Sequence, residues 1–88
     1  MRTGRRLILN DGTVIENGEA GQTPLNLWLW FGGMTLQEAA ALFFDTEKTE
    51  TITFQYGEME DIYEGYTSCA RLEIDTDGKI TVCMKRGE

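Results

Sequence analysis

A chain of 88 residues has room for one core and no second domain, since domains this small bury only about 60% of their unfolded surface. Its 41% hydrophobic and 26% charged residues exclude disorder throughout, and the absence of histidine excludes Ser-His and Cys-His catalytic pairs and the commonest transition-metal ligand. The net charge is −7, although three of the eight basic residues, Arg2, Arg5 and Arg6, stand at the N-terminus, so the rest of the chain is more acidic still and direct nucleic-acid binding is not expected.

Residues 1–5 read as a frayed basic terminus. Leu7 to Ile15 is two short β-prone runs around Asn10-Asp11-Gly12, where Gly12 can take the positive φ of a tight hairpin. Glu16 to Thr23 holds two glycines and little that is apolar, and Pro24 offers no amide donor to the next strand; this segment is expected to be a loop or a ragged edge. Leu25 to Phe31 reads Leu-Asn-Leu-Trp-Leu-Trp-Phe. As a strand it sends Leu25, Leu27 and Leu29 to one face and Trp28 and Trp30 to the other. Both faces are apolar, which fits a central strand covered on both sides or a strand whose Trp face meets another protein.

Gly32-Gly33 ends that strand, and Thr35-Leu-Gln-Glu38 matches the capping box, with Met34 and Ala39 placed for a hydrophobic staple. From Leu36 to about Phe44 the spacing predicts a helix that buries Leu36, Ala39, Ala40 and Phe43. Glu50 to Tyr56 alternates strictly, with Ile52, Phe54 and Tyr56 inward. After Gly57 and an acidic turn around Glu58 to Asp61, Ile62 to Ile74 shows period two again, with Gly65 as a candidate bulge. In the last hairpin, directly opposed residues share a face. Pairing Ile74 with Ile80 and Leu72 with Val82 leaves Thr76, Asp77 and Gly78 as a three-residue loop, with Gly78 at the left-handed position of a G1 bulge.

Cys69 and Cys83 lack the further Cys or His that a zinc site needs. The hairpin register puts both on the face opposite Leu72 and Ile74, one diagonal step or about 7 to 8 Å apart. That is too far for an unstrained disulfide, so two reduced thiols are expected. Asp75-Thr-Asp-Gly78 opens like a calcium loop, but the twelfth position is Arg86 and the glycine comes at the fourth, so the EF-hand reading fails. Glu58, Glu60, Asp61 and Glu64 form the densest acidic cluster, beside Tyr56, Tyr63 and Tyr66. With little apolar sequence around them these carboxylates read as a solvated rim rather than a catalytic pair. No phosphate loop, nucleophile elbow or dinucleotide fingerprint is present, so no cofactor, no metal and no enzymatic activity are expected.

The run Leu7 to Gly12, the stretch Met34-Thr-Leu-Gln-Glu-Ala-Ala-Ala-Leu-Phe43, Lys48 to Tyr56, Tyr63-Glu-Gly-Tyr-Thr67 and the final Asp-Gly hairpin together resemble small uncharacterised proteins encoded in prophages of Firmicutes bacteria. The similarity covers most of residues 7 to 86 and carries no catalytic motif. It implies a phage context, in which small acidic proteins serve as virion or assembly components or as inhibitors of host defence.

The expected fold is α+β in one domain spanning 1–88, an antiparallel sheet of about five or six strands with one short helix packed on a face, in the order β-β-β-α-β-β-β. The expected function is a non-enzymatic protein–protein interaction module of a prophage, a structural or assembly component, whose contact is built on Trp28 and Trp30 with Tyr56, Tyr63 or Tyr66 nearby and a rim of Glu58, Glu60, Asp61 and Glu64. The alternative is a small acidic inhibitor, of the anti-CRISPR kind, that blocks a basic nucleic-acid-binding groove on a host defence protein. The partner is another protein or a second copy. The longest apolar runs fall far short of the about 20 residues that span a bilayer and no secretory apolar region follows Met1, so a cytoplasmic location is expected.

Overall fold

Four antiparallel hairpins follow one another along the chain, with a helical segment between the second and the third. They are β1 (Arg5–Ile8) with β2 (Val14–Glu16), β3 (Glu19–Gln22) with β4 (Asn26–Phe31), β5 (Thr51–Tyr56) with β6 (Met59–Glu64), and β7 (Ser68–Ile74) with β8 (Ile80–Lys85). Helices α1 (Leu36–Phe43) and α2 (Thr46–Thr49) lie between β4 and β5. This computed structural model describes residues 4–87. The hairpins join alternately into two four-stranded sheets, one in the order β2-β1-β5-β6, here the Tyr sheet, and one in the order β3-β4-β8-β7, here the Trp sheet. The broad α+β class is as the sequence suggests, but two sheets and two helices replace the single sheet of five or six strands and its one helix.

Two chain segments account for the difference. Of the loop or ragged edge expected over Glu16 to Thr23 the structure has the edge: Asn17 at φ +59° turns the chain out of β2, and Glu19–Gln22 pair with β4 as an edge strand. Ile62 to Ile74 is not one strand: Gly65, at φ +82°, passes the chain from β6 in one sheet to β7 in the other. The supposed acidic turn shrinks to Gly57-Glu58, and Glu60, Asp61 and Glu64 belong to β6. The bulge lies further on, at Ala70, where the pairing with β8 shifts between Cys69 and Arg71.

The core lies between the sheets. From the Tyr sheet it takes Leu7, Ile15, Ile52 and Phe54, and from the Trp sheet Leu27, Leu29, Phe31, Ile80, Val82 and Met84. Each large side chain so buried contributes about 1.5 to 3 kcal/mol. Leu25, expected to share the face of Leu27 and Leu29, precedes β4 in the turn and is 78% exposed. The expected capping box is present: the Thr35 hydroxyl accepts from the Glu38 amide at 3.0 Å and Glu38 Oε1 accepts from the Thr35 amide at 2.8 Å. Helix α1 lies beside the Trp sheet. It packs against β7 and sends Ala39 and Phe43 into the core, with Phe43 stacked on Phe31 at 5.5 Å, while Leu36 turns outward.

Both three-residue hairpin loops have one geometry. Asp75 donates its amide to Lys79 and accepts from Gly78, at 3.0 and 3.1 Å, around Gly78 at φ +83°. Leu9 does the same with Thr13 and Gly12, at 2.9 Å each, around Gly12 at φ +90°. The expected register of the last hairpin, Ile74 with Ile80 and Leu72 with Val82, is observed. At the N-terminus, Arg5 is not frayed; it pairs with Tyr56 in the sheet and with Glu19 through an ion pair. Residues 1–3, with Arg2, lie outside the described residues.

Candidate functional site

Because Leu27, Leu29 and Phe31 point to the core, period two sends Trp28 and Trp30 to the outer face of the Trp sheet. There the two indoles lie nearly parallel, 10° between planes and 6.4 Å between centroids. One cross-sheet row runs Gly21, Trp28, Cys83, Arg71 and the next Glu19, Trp30, Thr81, Glu73. The Trp30 ring lies over Gly21, where an added Cβ would stand 3.2 Å from it. Both tryptophans remain half-buried and no second layer of the described chain covers their row. Cys83 is buried in that row between Trp28 and Arg71.

The tyrosines sit elsewhere. Tyr56 and Tyr63 belong to the inward face of the Tyr sheet, where Tyr63 opposes Ile52. The Tyr56 hydroxyl donates to Asp61 Oδ2 at 3.1 Å, and this bond to a carboxylate raises the phenol above its usual 10.0. Burial raises Tyr63, with the Asp61 charge adding to it. Tyr66, just after Gly65, is buried: its ring meets Tyr63 edge-on at 6.4 Å, its oxygen accepts from Gln22 Nε2 at 2.7 Å, and Arg86 lies 4.9 Å over it. Of the acidic residues, Glu58 is at the hairpin tip, Glu60 accepts from Gln55 Nε2 at 3.0 Å on the outer face, and Glu64 ends the strand. The structure thus brings Tyr56, Tyr63 and Tyr66 together with Asp61 but sets the Trp pair on the other side of the Trp sheet. The single composite contact read from the sequence divides into two.

The Ala70 bulge also separates the cysteines. Cys83 opposes Arg71 as expected, but Cys69 opposes Met84 and so shares the inward face, not the face of Cys83. Both are free thiols; burial raises Cys69, whose Sγ donates to the Arg71 carbonyl at 3.5 Å. Among the described residues no three His, Cys, Asp or Glu side chains gather to hold a metal ion, and no helix is long and apolar enough to cross a membrane. Sequence reasoning missed Gly21 because β3, read as a loop or ragged edge, had no assigned pairing partner, and missed Gln22 and Arg86 because nothing local ties them to Tyr66. The pairing of Trp28 with Cys83 was available only once β4 and β8 were known to be neighbours.

No protein-family model, curated protein or solved structure matches this chain.

Proposed function

We propose that this chain is a non-enzymatic protein–protein interaction module of a prophage, a structural or assembly component acting in the host cytoplasm, with no direct contact to nucleic acid. The observation that carries the reading is the Trp28–Trp30 pair on the outer face of the Trp sheet. Large aromatic side chains with few rotatable bonds concentrate binding energy at protein contacts, and here they occupy a face that the core does not use. The resemblance of the sequence to prophage-encoded proteins supplies the context. The test replaces both tryptophans by threonine and follows the chain through induction of its prophage. Wild-type protein is expected to co-purify with assembling phage particles and the variant to be lost from them while still unfolding in a single cooperative thermal transition. Equal incorporation of both would overturn the reading.

A second reading, the acidic inhibitor of a basic groove, is favoured by one specific observation. Glu58, Glu60, Asp61 and Glu64 make no ion pair among the described residues. The two readings separate by salt: attraction between charged surfaces weakens as ionic strength rises, and an apolar Trp contact does not.

A further inference from the structure

The two sheets leave four edge strands: β2 and β6 on the Tyr sheet, β3 and β7 on the Trp sheet. An edge presents unpaired backbone donors and acceptors, and proteins blunt such edges by shortness, bulges, cover or charge. Strand β2 has three residues and β3 four, β7 is bulged at Ala70, and α1 packs against it. Only β6 is long and regular: its six residues pair with β5 without a register shift, and five of the six are exposed. Met59 at 62% and Ile62 at 56% exposure leave apolar surface along it.

Charge is the one blunting device β6 carries, and it is of a single sign. Glu60 and Glu64 flank Ile62 on the outer face, Asp61 lies between Met59 and Tyr63 on the inner one, and no Lys or Arg lies in the strand. A second copy would set the same carboxylates against their own kind, since like charges directly opposite across strands repel. A basic strand would meet complementary charge. We propose that the free edge of β6 accepts an extended basic segment of another protein as an added antiparallel strand of the Tyr sheet. This is strand addition, in which backbone bonds supply affinity and alternate side chains supply selectivity. The opposed positions set the pattern. Running from the residue facing Glu64 to the one facing Met59, the segment is basic, apolar, apolar, basic, basic, apolar. The site is independent of the Trp contact, from which it is separated by the Trp sheet.

A peptide with the core Lys-Val-Ile-Lys-Lys-Val, flanked by glycines and blocked at both ends, is the probe, with a second peptide carrying proline in place of the isoleucine as its control. Titrated at low salt and followed by amide NMR, the first is expected to shift and protect the β6 amides. Binding should weaken at least about fivefold between about 0.05 and 0.5 M salt, and the proline peptide, which cannot complete the ladder, should bind at least about tenfold more weakly. Glu60→Lys with Glu64→Lys should also lose about tenfold in affinity, and the Trp28→Thr, Trp30→Thr protein should bind like wild type. Equal binding of both peptides, shifts confined to residues outside β6, or no binding at low salt would overturn the proposal. Amide protection in the wild-type protein keeps the test decisive even where the charge-reversed protein folds poorly.

Discussion

Strands β4 and β5 hold matching places in the two sheets and differ most on their outer faces. Each is six residues long, central, and buries alternate residues against the other sheet: Leu27, Leu29 and Phe31 from β4, Ile52 and Phe54 with half-buried Tyr56 from β5. Their outer rows are unlike. β5 shows Thr51, Thr53 and Gln55, and β4 shows Asn26, Trp28 and Trp30. A threonine row is what a half-solvated antiparallel strand ordinarily carries. The same fold therefore contains its own demonstration that the outer row of a central strand does not require tryptophan.

The largest expected effect tests whether the inner rows are equivalent. Leu29→Ala and Ile52→Ala each remove a fully buried side chain from one core and should each cost about 2 to 5 kcal/mol, the transfer loss plus the cavity left behind. Denaturant midpoints measure both. If one proves nearly neutral, the two sheets do not share a core as described. The outer rows should respond less. Trp28→Thr with Trp30→Thr rebuilds β4 in the image of β5, and since both rings are only half-buried the pair together should cost about 1 to 3 kcal/mol. A loss beyond the Leu29→Ala range would make the Trp row structural and remove the main support for a Trp-built contact.

The hairpin loops extend the comparison, since each sheet contains one three-residue loop with the same hydrogen bonds. No atom stands within 4 Å of a Cβ added at Gly12 or Gly78, so Gly12→Val and Gly78→Val act through backbone conformation alone and should each cost more than about 1 kcal/mol. Coincident midpoints for wild type and Gly78→Val would reject the left-handed assignment.

What the sequence made legible was local. The capping box, the alternation of β5 and the Gly78 loop with its register are set by residues within a few positions of one another, and each is found as read. The two-sheet architecture was not legible, because it turns on Asn17 and Gly65, single positive-φ residues that redirect the chain between layers, and period two continues on both sides of such a pivot. Leu25 misled because alternation says which residues share a face but not where the strand begins. The candidate site was legible as composition and wrong as geometry. The aromatic and acidic residues were named, but their division between two surfaces depends on which sheet each strand joins, and the face of Cys69 depends on one inserted residue, Ala70.

The smallest expected effect lies at the third inward position, where β4 has Phe31 and β5 has Tyr56. Phe31 cannot titrate. Tyr56 donates to Asp61, and its phenol is held above 10.0 mainly by that bond, with burial and the Asp61 charge adding to it. A group whose folded pKa is raised contributes stability that is fully present below its unfolded pKa, about 10 for tyrosine, and lost as pH rises through the folded value. The contribution is therefore constant across neutral pH and disappears only in alkaline solution, where loss of the proton sets a phenolate against the Asp61 carboxylate. Absorbance of the phenolate should show a titration above 10 that Tyr56→Phe deletes and that Asp61→Ala moves back toward 10, since alanine removes both the acceptor and the charge. Tyr63, raised chiefly by burial and without that bond, should move less under Asp61→Ala. Equal movement of both would mean that the Asp61 charge, rather than the hydrogen bond across β5 and β6, governs the edge of the Tyr sheet.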